Sequence, residues 1–252
     1  MALLAPSLAL HTMLSSLDLH FNIGFASLGV ESLSQSLQHL QGLECLRMSC
    51  FDVSKKATLQ FSSVLYTLTK LRKLGLLGFH TAHDAWALIP GRSALERYAG
   101  TPRAGVAGEL AAVALHKGDG AGLDTGTFAL VASLAGLTLL EELQVMSCGL
   151  TPDCAPRLAA SIGSMPRLRT LQMDNNSLRD EGIVSIAPAL GQLTQLRWLT
   201  MASTELTLAG ATAVVAAVQT HKKIERCSVS ETDFSHRLEW PEVLRQPWVS
   251  IY

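Results

Sequence analysis

The chain has 252 residues, 48% hydrophobic and 16% charged, a balance that buries a substantial core and excludes a disordered polypeptide. With 20 lysines and arginines against 21 aspartates and glutamates the formal net charge is −1, so no overall field draws it to nucleic acid or to an anionic membrane. Five cysteines, odd in number and without regular spacing, fit a reducing, intracellular compartment, the cytoplasm first, better than a disulfide framework. The start, MALLAPSLALHTML, is apolar but lacks a basic segment and is broken by Pro6, so it does not read as a cleaved signal peptide. No stretch reaches the roughly 18 uninterrupted apolar residues of a membrane span.

Taken in chain order, one pattern recurs. It begins as Leu14, Leu17, Leu19, Asn22 and continues as Leu43, Leu46, Met48, Val53 and then Leu71, Leu74, Leu76. Leu110, Val113, Leu115, Gly118 reads as a degraded copy. The frame then returns as Leu140, Leu143, Val145, Cys148, Leu150; Leu168, Leu171, Met173, Asn176, Leu178; Leu196, Leu199, Met201, Thr204, Leu206; and Ile224, Cys227, Val229, Thr232, Phe234. Outside the slip between Leu71 and Leu140 the starts lie 28 or 29 residues apart, which gives eight units. The second half of each unit carries helical spacing, as in Leu130, Val131, Leu134; Leu158, Ala159, Ile162; Ile186, Ala187, Leu190; and Val214, Val215, Val218.

Each unit is therefore a short strand, a turn and an amphipathic helix, and neither half buries its apolar side without a neighbouring unit. Paired strands sit about 4.8 Å apart and packed helices about 8 to 10 Å, so such a stack curves with its strands inside. The pattern L-x-x-L-x-L-x-x-N/C-x-L at this period resembles a leucine-rich repeat of the ribonuclease-inhibitor-like subfamily. The resemblance implies an α/β leucine-rich repeat solenoid, a curved horseshoe with a parallel sheet on the concave face and helices on the convex face. The array covers residues 1–234, with the degenerate repeat and an insertion at about 82–126, and residues 235–252 form a capping or docking tail.

Within a unit, Asn176 is expected to turn its amide onto the backbone of adjacent units; Cys148, Thr204 and Thr232 hold the same place, whereas Phe51, Phe79 and Gly118 lack that hydrogen bond. Gly29, Gly126, Gly182 and Gly210 mark where the chain enters the helix. Pro6 and Pro188 are expected to kink their helices or delay their start. Residues 3–8 align with the helical half of a unit, so the array is expected to start abruptly, covered by a partner or continued in a longer product.

Chemistry is poorly supported. His80 and His83 have no neighbouring ligand set, and HKGDGAGLDTG lacks the full phosphate-loop or calcium-loop pattern. Cys45 and Cys50 are the cysteines expected to be accessible, without a histidine placed to activate either. The sequence thus predicts a non-enzyme without cofactor or metal.

The interleaved strand positions name the exposed face. One column runs Ser16, Cys45, Lys73, Ala112, Glu142, Thr170, Trp198, Arg226; the next Asp18, Arg47, Gly75, Ala114, Gln144, Gln172, Thr200, Ser228; a third His20, Ser49, Leu77, His116, Met146, Asp174, Ala202, Ser230. Trp198 beside Arg226 is the expected anchor of a protein interface, extended by Leu77 and Met146, with Arg47, Asp174 and Glu142 supplying polar specificity. The insertion PGRSALERYAGTPRAG (residues 90–105) adds Arg92, Arg97 and Arg103 as a second binding candidate. The expected role is a non-enzymatic protein–protein interaction module, a scaffold or accessory subunit of a larger assembly. The alternatives are a regulator of a small GTPase or of a ribonuclease, and a peripheral ribonucleoprotein subunit held through the Arg92–Arg103 loop. The strongly acidic tail of the GTPase-activating members is missing here, and no basic stripe with interleaved aromatics favours nucleic acid.

Overall fold

The computed structural model describes residues 4–20, 27–50, 53–79, 125–231 and 242–251. It is an α/β structure with a single all-parallel sheet of eight strands in the order of the chain. The strands are β1 (Ser16–Leu19), β2 (Cys45–Ser49), β3 (Lys73–Leu77), β4 (Glu142–Met146), β5 (Thr170–Gln172), β6 (Trp198–Leu206), β7 (Arg226–Glu231) and β8 (Val249–Ile251). The described helices are α1 (Leu4–Leu8), α2 (Ser27–Leu37), α3 (Lys55–Leu65), α4 (Thr125–Ala132), α5 (Ala155–Gly163), α6 (Arg179–Leu190) and α7 (Leu208–Val218), each packed against the next.

The register is the one that the repeat frame predicts. Leu17, Leu46, Leu74, Leu143, Leu171, Leu199 and Cys227 stand opposite one another along the sheet. They join the helix residues Leu37, Phe61, Ile162, Ile186 and Val215 in one buried apolar cluster. Alternation explains the division: every second strand residue turns toward the helices and its neighbours turn away.

The turn leaving each strand is also repeated. Gly78, Ser147, Asn175 and Ser203 share one place in the frame and all have left-handed φ, 80°, 52°, 56° and 54°. Only the first is a glycine, so three units hold a side chain in a strained backbone region because the surrounding hydrogen bonds fix it there. Asn176 is the centre of that fixation, as expected. Its Oδ1 accepts from the amides of Cys148 and Leu150 of the preceding unit, both at 3.0 Å. Its Nδ2 donates to the carbonyls of Val145 and Met173 at 2.8 Å each. Thr204 donates to Met201 O at 2.7 Å, and the Cys148 thiol to Met146 O at 3.3 Å. Phe79 instead fills the place with a ring whose centroid lies 4.9 Å from that of Phe61.

Several expectations need correction. β3 pairs directly with β4, Lys73 opposite Glu142 across 69 residues of chain, so no strand built on Leu110, Val113 and Leu115 stands between them. Ala112, Ala114 and His116 therefore do not stand in the three columns between β3 and β4, and the spacing from Lys73 to Glu142 exceeds one repeat by 69 less 28, or 41 residues. The eighth strand comes from the tail: Val249 pairs with Cys227 after 22 residues instead of 28, and Leu244 is buried beside it. Helix α6 does not start late on account of Pro188, which lies in its last turn. Gly210 does mark a close approach, because a Cβ there would lie 2.1 Å from Asp180 Oδ1, but a Cβ on Gly182 would meet only ordinary contacts at 3.5 Å. Asn22, Phe51, Gly118, Thr232, His80 and His83 lie outside the described residues.

Among the described residues no helix is long and apolar enough to cross a membrane.

Candidate interaction surface

Register places Trp198 between Thr170 on β5 and Arg226 on β7, the neighbours that the frame assigns to it. The indole is half-buried and donates from Nε1 to Glu225 Oε2 at 3.1 Å, while Arg197 Nη1 reaches the other oxygen of Glu225 at 2.7 Å. Glu225 thus clamps the ring in one orientation with its polar edge satisfied. Arg226 is exposed.

Sequence reading missed the column one residue earlier. Arg72, Glu141, Arg169, Arg197 and Glu225 each immediately precede a strand, and their backbones interlock from unit to unit: Arg197 N donates to Arg169 O, and Glu225 N to Arg197 O. Glu141 takes Arg72 and Arg169, both at 3.6 Å. The signal was there, because a charged residue recurs every 28 residues from Glu141 to Glu225.

On β1 to β4 a second polar group gathers. Arg47 Nη1 contacts Asp18 Oδ2 at 3.3 Å, and Lys73 Nζ contacts Glu142 Oε1 at 2.6 Å. Gly75 makes room for it: a Cβ there would stand 3.1 Å from Gln144 Oε1, 3.2 Å from His20 Cε1 and 3.3 Å from Arg47 Cγ. Burial raises the Glu142 carboxyl above its usual range against the opposing bond from Lys73. Burial also lowers His20, with Asp18 opposing and Arg47 assisting. Arg47 Nε and Glu142 Oε2 are buried without a hydrogen-bond partner. Arg47 and Glu142 are thus on the expected face, but committed largely to neighbours within it.

Three expected contact residues are not exposed. Asp174 is 3% exposed; its carboxylate accepts from Thr200 Oγ1 at 2.6 Å and from Ala202 N at 2.7 Å, so it ties β5 to β6. Burial raises its pKa, and those two bonds oppose the rise. Leu77 and Met146 are each 6% exposed, because they stand in register side by side at the strand ends and cover one another. Arg92, Arg97 and Arg103 lie outside the described residues.

All five cysteines are unpaired, and Cys50 is buried rather than accessible. Burial pushes the Cys148 and Cys227 thiols up to about 12 and raises Cys45, Cys50 and Cys154 as well, which keeps them protonated and unreactive at neutral pH. Among the described residues no group of three or more His, Cys, Asp or Glu side chains is placed to hold a metal ion.

Compared with known proteins, the chain matches no family model and no curated sequence.

Proposed function

We propose that the chain is a leucine-rich repeat solenoid of the ribonuclease-inhibitor-like kind. It works as a non-enzymatic protein–protein interaction module, a scaffold or accessory subunit of a larger assembly. Support for the solenoid comes from the 28-residue frame, the in-register parallel sheet and the backbone turn shared by Gly78, Ser147, Asn175 and Ser203. In such an array the sheet lines the concave side, and the tail serves as its cap through β8 and Leu244.

The observation that carries the functional reading is Trp198. A large aromatic side chain on an interleaved strand position gains nothing from the core, and its half-burial with a satisfied N–H leaves a rigid apolar face for a partner. Hot-spot aromatics of this kind contribute about 2 kcal/mol or more, about thirtyfold in affinity.

Native copurification followed by mass spectrometry, run in parallel on the parent chain and on Trp198→Ala, tests the reading. The expected result is a stoichiometric protein partner lost from the variant, with the variant's thermal transition unchanged. Recovery of the same partner at the same yield would remove Trp198 from the interface. Catalytic turnover of a small molecule by the isolated chain would remove the non-enzymatic reading.

A further inference from the structure

We infer that the rim of the sheet around Trp198, on the units of β5, β6 and β7, docks an acidic protein segment carrying one large apolar side chain. This rests on the interaction-module reading and names the partner's chemistry.

The charges along this rim are unevenly matched. On the preceding units Arg72 and Arg169 share Glu141 and Lys73 takes Glu142, which leaves Lys70 as the single cation of the turn before β3 without an ion pair among the described residues. Around Trp198 the balance fails. Arg197 is occupied by Glu225, but Arg167, Lys222 and Arg226 form no ion pair among the described residues, and Lys223 donates to the neutral Gln195. All four are exposed.

They are not scattered. Arg226 is the register partner of Trp198, whereas Lys222 and Lys223 form the turn that leads into β7. Arg167 holds the corresponding turn two units back, before β5. Strand spacing of about 4.8 Å puts these two turns roughly 10 Å apart, with the indole on the strand between them. A peptide of a few residues spans that distance, setting a carboxylate toward each turn and an apolar side chain against the ring.

The same geometry argues against a nucleic acid strand. Glu225 lies between Arg197 and Trp198, where a continuous phosphate backbone would meet a carboxylate. From β1 to β7 Trp198 is moreover the one aromatic side chain in its column, and Trp248, which follows Arg226 in register, packs against the core, whereas single-strand binding uses successive stacking platforms. A segment with separated carboxylates avoids both difficulties.

Selection of a phage-displayed random 12-residue peptide library on the full chain tests the inference directly. Recovered peptides are expected to be net negative with a large apolar residue. Their affinity should fall at least tenfold in Arg226→Glu, in Arg167→Glu and in Trp198→Ala, and should fall as salt rises. The two charge reversals alter exposed, unpaired side chains, and circular dichroism melts confirm that each variant folds. Failure to recover peptides, recovery of neutral or basic peptides, or indifference to both reversals would overturn the inference. So would tighter binding of a 12-nucleotide oligouridylate than of the recovered peptides. If Trp198→Ala loses the copurifying partner while neither reversal affects peptide or partner, the interaction module stands and the acidic partner falls.

Discussion

After β5 the chain turns on Asn176, and after β3 it turns at the same place in the repeat on Phe79. The first turn is closed by an amide that reaches two units at once, the second by a ring packed on Phe61. Both leave a strand through a left-handed residue, Asn175 and Gly78. The repeat therefore fixes a backbone path and an inward direction but not the chemistry that fills it. Hydrogen bonding makes the turn depend on its neighbour, because the amides of Cys148 and Leu150 are satisfied only while Asn176 is present. The aromatic plug makes it depend on volume.

The largest effect should come from Asn176→Ala. It strands two buried amides and two carbonyls at about 1 kcal/mol or more each, so urea denaturation should show a loss of about 4 kcal/mol. Phe79→Ala tests the other closure and should cost about 3 kcal/mol as a cavity. The contrast sharpens if amide hydrogen exchange is read alongside: Asn176→Ala should deprotect Cys148 and Leu150, whereas Phe79→Ala should loosen the packing around Phe61 without that signature. Equal deprotection in both variants would mean that the two turns are closed by the same means.

A smaller effect separates two glycines that share one place in the frame. Gly210→Ala pushes its Cβ onto Asp180 and breaks the bond from Thr207 N, 2.9 Å, that helps begin α7, so a loss of about 1 kcal/mol is expected in a thermal melt. Gly182→Ala meets only ordinary contacts and should gain about 0.5 kcal/mol from helix propensity. Matching signs for the two would contradict the close approach at Gly210.

The smallest effect is a pH dependence. The Asp174 carboxyl is raised by burial, so the folded state holds its proton more tightly than the unfolded state does. The resulting stability is fully present below the ordinary aspartate range and disappears as pH rises through the raised value. Asp174→Asn should flatten that part of the stability–pH curve, measured by urea midpoints from pH 3 to 7, and an unchanged curve would assign the slope to other groups.

Much of this was legible in the sequence. The strand positions were readable because seven separate copies agree, and Asn176 because a buried turn needs an amide. The copy at Leu110 shows where the signal fails: in a chain 48% hydrophobic, one apolar triad at the right spacing arises without a place between β3 and β4, and only the pairing of Lys73 with Glu142 exposes it. Polarity at an interleaved position was a poor guide to exposure. Asp174 was legible as polar but not as covered, since its cover depends on where Thr200 and Ala202 turn. Glu225 was overlooked because no single unit reveals it; its role appears only when Arg197 and Trp198 stand beside it.

The central claim is that consecutive copies lie side by side, with β3 against β4 despite the 69 residues between Lys73 and Glu142. Mild oxidation of a Lys73→Cys/Glu142→Cys chain, with Cys45→Ser to remove the partly accessible thiol, tests it most directly. The account predicts a bridge between positions 73 and 142 in peptide mass spectra, because adjacent strands fall within the roughly 4.4 to 6.8 Å that a disulfide spans. No bridge should form in the matching Lys73→Cys/Trp198→Cys chain, three strands apart. Absence of the first bridge, or equal yields of both, would contradict the stacked arrangement.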